Sequence, residues 1–488
     1  MSETMDISVI EAKDTKMRNI FLWSSYDAAD TLFSQGILSI VFQPLVLLLA
    51  YQNGITDYFT AFALMSAFMA FSNLLVAILG PLIGALSDTL GRRKPAVIIA
   101  ASVMCGSTLL FMVWMNFWWL CVMFVFANFS YQVGRMFYDS MIPFISKTEE
   151  RGKASGISGS LSFLGTFAGI ILSMVAYNDS FGIWDHFSEP ESIFSGVSEL
   201  GNRILNPGPT IEYTGLFYLI PMVVAGILLF ALPFLFSKEK INPNQNGFHK
   251  NVKLALGNYK QTFKEIFVSK NKNALFFILG WFFVTDAANT TILYMQLVMI
   301  DGAGANPSQA LYIIAIGGLL SMVGAIIVGL LLDKWGPKKN FVINIVAWFL
   351  AVIIAIVACI EVNGKHILPW QIMFPVAFFI GVGFGGLWII GRQFVFEVAP
   401  PDKVTQYQGF KQIAGRVSAI VSPLMFLGFL GLGGSLGLSI PNSYAIALTP
   451  LLLFFVIGYL IIRKYIDVHE EYLNGERAPY KKLEEYYK

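Results

Sequence analysis

Charge is scarce in this chain. Of 488 residues only 13% are Asp, Glu, Lys or Arg, while 56% are hydrophobic and 43 are Phe, a balance far more apolar than that of an ordinary soluble domain. Cysteine is nearly absent. Cys105, Cys121 and Cys359 stand singly in or near apolar runs, so the sequence offers no disulfide framework and no thiolate metal cluster. His186, His249, His366 and His469 lie in loops or the tail without a second ligand at metal spacing, and no metal or other cofactor is expected. The same census argues against an intramembrane enzyme, which needs a nucleophile and base or a metal cluster at one depth. The first residues carry mixed charges and lack a short apolar core followed by a small-residue cleavage site, so no signal peptide is read.

What is abundant is the apolar run able to cross a bilayer as a helix, about 20 residues long. Twelve such runs are read, near 20–50, 58–86, 95–115, 117–145, 154–177, 213–236, 274–300, 308–332, 339–361, 369–398, 409–431 and 443–465. The expectation is an all-α membrane protein. It divides into a tail, 1–19, a six-span unit, 20–236, a linker, 237–273, a second six-span unit, 274–465, and a tail, 466–488.

Lys and Arg set the orientation. Arg92, Arg93 and Lys94, then Lys147, Arg151 and Lys153, then Lys334, Lys338 and Lys339, then Lys403 fall on one side, and the linker adds eight lysines to it. The loops of the other side hold only Arg203 and Lys365. Both termini are therefore expected in the cytoplasm, in a multi-pass protein of the cell membrane. Basic residues spread along one membrane face imply no nucleic-acid partner. In the linker, Phe248, Val252, Leu256, Tyr259, Phe263 and Phe267 recur at helical spacing, which predicts an amphipathic helix on the inner membrane surface. The acidic segment 178–212, with its "NPGP", predicts an irregular external loop.

The chain repeats itself. "DAAD" at 27–30 returns as "DAAN" at 286–289, "GALSDTLGRRK" at 84–94 as "GLLLDKWGPKK" at 329–339, and "GRMFYDSMIP" at 134–143 as "GRQFVFEVAP" at 391–400. Three matches in one order at similar offsets imply two six-helix bundles in the same orientation, related by a parallel pseudo-two-fold axis, with a binding site between them.

"GPLIGALSDTLGRRKP", with its degenerate echo after span eight, resembles the loop signature of the major facilitator superfamily. "YDAAD", "YQVGRMFYDSMIPFISKTEERGKASG" and "YQGFKQIAGRVSAIVSPLMF" together resemble the vacuole-effluxer-like branch, which includes amino-acid exporters. The resemblance implies the major facilitator fold, an alternating-access transporter acting as a monomer, and an amino acid or short peptide as solute. That branch usually has Asn where this chain has Asp30, so the family assigns Asp30 no role. In the signature loop Gly84 permits close helix approach and Gly91 a tight turn, while Asp88, Arg92 and Arg93 supply charges for helix ends; Asp333 and Gly336 repeat the pattern. The resemblance makes this loop a gating latch.

Charges inside the spans point to the chemistry. In span four Asn128, Tyr131, Gln132, Arg135, Tyr138 and Asp139 form one polar stripe. Arg135 and Asp139 are spaced to pair along the helix, or Asp139 pairs with Arg92 of the latch. Counted from the span ends, Asp30 and Arg135 both lie roughly 15 Å deep and can meet; Asp286 and Arg392 offer the same pairing in the second half. Intramembrane ionisable groups default to function, so Asp27, Asp30, Gln132, Arg135, Asp286, Asn289 and Arg392 are the candidate solute and coupling-ion residues. A secondary transporter of a small polar solute, driven by protons or by sodium, is the leading expectation. A cation-coupled sugar carrier and a non-transporting receptor are the alternatives.

Overall fold

The computed structural model describes residues 15–55, 58–114, 116–177, 214–239, 248–269, 272–400 and 403–465. The loop 178–212, the N-terminal residues before 15 and the tail after 465 lie outside the described residues. Among those described, nine helices are long and apolar enough to cross a membrane. Two departures from the regular helix, one in span one and one between spans eight and nine, account for part of the difference from twelve.

Span one is built from α1 (Met17–Leu32), a π-helical stretch (Phe33–Val41) and α2 (Phe42–Gln52). The wider turn is a local change in helix geometry that apolar periodicity does not signal. Spans two to six are α3 (Tyr58–Leu90), α4 (Lys94–Leu109), α5 (Phe117–Asp139), α6 (Arg151–Tyr177) and α7 (Thr214–Ala231). The linker carries α8 (Phe248–Lys264) and span seven is α9 (Lys272–Leu297). Spans eight and nine run together as α10 (Pro307–Ala358), broken where Gly336 takes φ 72° before Pro337. Spans ten to twelve are α11 (Met373–Val398), α12 (Val404–Ser435) and α13 (Ile440–Tyr465). Twelve spans in two six-helix bundles result.

Bulky apolar side chains such as Ile78, Phe126, Leu229, Leu330 and Leu453 stand exposed, as a surface solvated by lipid requires. Small residues let the bundles touch. A Cβ on Gly84 of α3 would come within 2.7 Å of the Thr405 carbonyl oxygen in α12, and one on Gly156 of α6 within 2.9 Å of the Ala325 carbonyl oxygen in α10. Both approaches lie on the side where Gly91 and Gly336 turn, called the latch side below. On the other side a short hairpin, β1 (Glu361–Val362) and β2 (Lys365–His366), was not anticipated. Its turn is made by Asn363 at φ 53° and Gly364 at φ 75°, the pattern that suits a two-residue hairpin loop.

One sequence expectation needs correcting. Span four ends at Asp139, not near 145, because Pro143 has no N–H to bond the Asp139 carbonyl and the chain tightens into a 3-10 turn at Ile142–Phe144; Arg135 therefore lies one turn from the helix end. The linker helix forms; part of it packs on protein, while Leu254, Leu256 and Phe263 stay exposed. Tyr259 stacks on Phe410 of α12 with ring centroids 6.1 Å apart, Thr262 donates to the Gln406 side chain at 2.9 Å, and Lys403 reaches Glu265 at 3.0 Å. Thr262 and Glu265 are buried, so this face of the linker is satisfied by α12.

Candidate functional site

The latch consists of two reciprocal caps. The first four N–H groups of a helix have no partner in the helix itself and carry partial positive charge, so a carboxylate placed there is favoured. Asp88 at the end of α3 accepts from the backbone N–H of Thr405 at 3.2 Å and of Gln406 at 3.0 Å, capping α12 in the other bundle. Asp333 in α10 accepts from Gly152 at 2.7 Å and Lys153 at 2.8 Å, capping α6. Each bundle thus holds a helix start of its partner. Gly91, at φ 63°, and Gly336 turn the chain after each acid. Arg93 braces Asp88 at 2.8 Å and donates to the Thr405 hydroxyl at 3.1 Å, whereas Arg92 is exposed. Glu239, which the sequence reading passed over, accepts from the N–H of Arg93 at 3.0 Å and of Lys94 at 2.9 Å and so caps α4.

Deeper in, charges from both bundles converge. Arg135 of α5 donates to Asp30 of α1 at 2.6 Å and lies 3.7 Å from Asp27. Arg392 of α11 crosses to the first bundle, 2.7 Å from Asp139 and 3.1 Å from Asp27. Lys411 of α12 approaches Asp139 at 3.6 Å. Ser158 of α6 accepts from Arg392 at 3.1 Å and donates to Asp27 through a short hydrogen bond, with the Tyr138 hydroxyl 2.7 Å away. Trp23 and Tyr138 stack at 4.5 Å, and the Arg392 guanidinium stands 5.7 and 5.3 Å from their ring centres, within cation–π range.

The predicted residues divide accordingly. Asp27, Asp30, Arg135, Asp139 and Arg392 form one network. The expected pairing of Asp139 with Arg92 or with Arg135 is replaced by the contact to Arg392 and Lys411, because Arg135 turns to α1 and Arg92 faces outward. Arg392 likewise does not pair with Asp286, which is buried one bundle away from the acids that hold it. The repeat explains the difference, since Asn289 stands where the first half has Asp30, so Arg392 lacks the equivalent acid. Asn289 is half-buried. Gln132 is buried and donates to Asn128 at 3.3 Å, which donates to Ser72 at 2.9 Å. Ser158 and Lys411 are the additions. A lysine just inside the apolar span 409–431 was a visible signal; a serine in a Gly- and Ser-rich helix was not.

A family model described as Major Facilitator Superfamily matches residues 31–423. A Bacillus subtilis protein named as an uncharacterized MFS-type transporter, YxiO, is 22% identical over 457 residues, covering 92% of this chain and 94% of its own. Among solved structures, the human organic anion transporter MFSD10 superposes with TM-score 0.63 at 12% identity, covering 91% of this chain and 99% of its own. The proton:xylose symporter XylE does so with TM-score 0.62 at 14% identity, covering 92% and 95%. At such identities the structures report the fold alone. The family model spans most of the chain, and the chain belongs to the Major Facilitator Superfamily.

Proposed function

We propose that this protein is a secondary active transporter that moves a small polar solute by alternating access and couples it to protons. The latch side is then the cytoplasmic face of the cell membrane, as the lysine-rich loops imply. One observation carries the reading. In the ion-pair network the first bundle contributes Asp27, Asp30, Asp139 and Arg135, and the second contributes Arg392 and Lys411. The network is balanced as a whole, but an excess of two negative charges in one bundle meets two positive charges from the other. Rocking the bundles apart on the latch side must break these contacts and leave an acidic surface that attracts cations.

A buried pair adds little net stability, while breaking it by removing one partner costs about 3–5 kcal/mol. Such a network suits a switch between two states better than it suits a rigid core. Protons on the carboxylates compensate the separated acids most simply. Sodium coordinated by the same oxygens is the other outcome of the test.

Asp30→Asn is the discriminating variant, since it keeps size and hydrogen-bonding capacity but cannot release a proton. Wild-type proteoliposomes are first screened with radiolabelled amino acids, the solute class implied by the resemblance. With the best substrate, Asp30→Asn should lose accumulation driven by a pH gradient and keep exchange at equal pH. Unchanged pH-driven accumulation removes Asp30 from coupling; uptake driven only by a sodium gradient replaces the proton.

A further inference from the structure

Arg135 and Arg392 occupy equivalent places in the two repeats, yet their surroundings differ. The Arg392 side chain is 1% exposed; Nη1 donates to Ser158, Nη2 donates to Asp27, and Nε stands in ion-pair contact with Asp139 without hydrogen-bond geometry. The Arg135 side chain is 20% exposed, and its contacts with Asp30 and Asp27 both use Nη1. Among the described residues, Nε and Nη2 of Arg135 meet no acceptor. A guanidinium has five N–H donors in a fixed fork, so a whole edge of this one is open.

The open edge does not face lipid. Val122 and Phe126 mark the exposed side of α5. Arg135 comes thirteen residues after Val122, which at about 100° per residue places it roughly 140° round the helix, toward the space between the bundles. Asn128 and Gln132 occupy the neighbouring turns of that inner side. Neither atom is among the buried side-chain groups left without a partner, and the side chain is 20% exposed, so a solute can reach them; the Nε and Nη2 pair is the edge that receives a carboxylate through two parallel hydrogen bonds.

We propose that Arg135 is the docking residue for a carboxylate group of the transported solute, bound on the Nε–Nη2 edge while Asp30 holds Nη1. The proposal rests on the transporter reading above and names its substrate class: a small carboxylate-bearing solute, an amino acid or hydroxy acid, not a neutral sugar. For a hydroxy acid, docking adds one negative charge beside Asp30 and a proton taken up by Asp30 from the open side restores the balance; an amino acid brings its own ammonium, and the proton on Asp30 then offsets only the local crowding of two carboxylates. Arg392 keeps the interbundle contact while the solute docks and gives it up when the latch side opens. The two equivalent arginines thus divide into one for the solute and one for the gate.

The test uses the purified full chain in nanodiscs at a single pH, with no gradient. Phenylglyoxal, which modifies accessible guanidinium groups, is applied at low conversion, and the modified arginines are mapped by mass spectrometry. Arg135 should react and Arg392 should not. The common amino acids, lactate and succinate are then added one at a time, with lactamide and xylose as neutral controls. At least one carboxylate should protect Arg135 while the neutral controls do not, and the same compound should raise the unfolding temperature. Arg135→Ala should weaken that binding by about tenfold or more, as expected for losing a charged hydrogen-bonding group, and Arg135→Lys should retain part of it. An inert Arg135, no protection by any carboxylate, or equal protection by lactamide or xylose overturns the proposal. Failure of proton coupling would show separately, as an Asp30→Asn protein that accumulates solute on a pH gradient while Arg135 remains protected.

Discussion

Nε of Arg392 stands 2.7 Å from Oδ1 of Asp139, and the two residues belong to opposite bundles. The sequence repeat shows why the contact exists. Asp139 has Phe396 as its counterpart in the second half and Asp30 has Asn289, so the second bundle carries the arginine without the matching acids. The asymmetry turns what would be two internal pairs into one internal pair and one pair across the interface.

Asp139→Asn should therefore favour the state in which the latch side is open. It leaves Arg392 and Lys411, both buried, with one carboxylate fewer between them, an arrangement costing about 3–5 kcal/mol if the closed state is kept. Opening admits water and relieves part of that cost. A reporter Ala325→Cys, at a buried contact of α10 with α6, in a background without the three native cysteines, should label at least about tenfold more in the variant, a shift of about 1.4 kcal/mol. Equal labelling would mean that the pair does not hold the gate.

The two helix caps predict matching effects from unequal motifs. Asp88 lies in the full signature and Asp333 in its degenerate echo, yet each accepts two backbone N–H groups from the opposite bundle. Asp88→Asn and Asp333→Asn should each weaken latch-side closure by about 0.5–2 kcal/mol, the range of capping and helix-dipole effects. Exchange should slow in both, and solute affinity should change little. Normal exchange in Asp333→Asn would leave the echo a packing feature only.

A glycine substitution tests closure by bulk alone. A Cβ on Gly329 would stand 2.6 Å from Cα of Gly156 and 2.7 Å from the Gly152 carbonyl oxygen, both backbone atoms that no rotamer change moves. Gly329→Val should hold the bundles apart on the latch side, abolish transport and leave Ala325→Cys permanently reactive. Gly318→Ala in the same helix, where nothing lies within 4 Å, serves as the control and should transport normally. A functional Gly329→Val protein would show that the close approach is dispensable.

Sequence carried the spans, the repeat and the latch because each rests on a local rule. Bilayer thickness fixes helix length, and Gly91 and Gly336 mark turns that the signature spacing had located. Partner choice was not local. Arg135 had Asp139 one turn away and still pairs with Asp30, since which helix it faces is settled by packing. The π-helical stretch at Phe33–Val41 changes the register of span one without changing its hydrophobicity, and the docking of the linker on Phe410 depends on where α12 begins.

Asp27 is the carboxylate that touches both arginines. Its Oδ2 meets Arg392 at 3.1 Å and accepts from Ser158, while its Oδ1 lies 3.7 Å from Arg135. It therefore joins the group proposed to receive the solute to the group that closes the gate. Asp27→Asn keeps the shape and an acceptor oxygen but leaves the network one positive charge in excess, and Asp139 and Ser158 remain to hold Arg392. A carboxylate solute should still dock on Arg135, with one competing acid fewer nearby. Its arrival should no longer be felt by Arg392. The expected result is a protein in which protection of Arg135 persists while the labelling of Ala325→Cys stops responding to solute, and uphill transport fails. Ser158→Ala removes only a neutral hydroxyl, worth about 1 kcal/mol, and should leave the response in place. Solute-dependent labelling that survives in Asp27→Asn would show that the two arginines communicate by another route, with the next carboxylate to test being Asp30, which holds Arg135 at 2.6 Å.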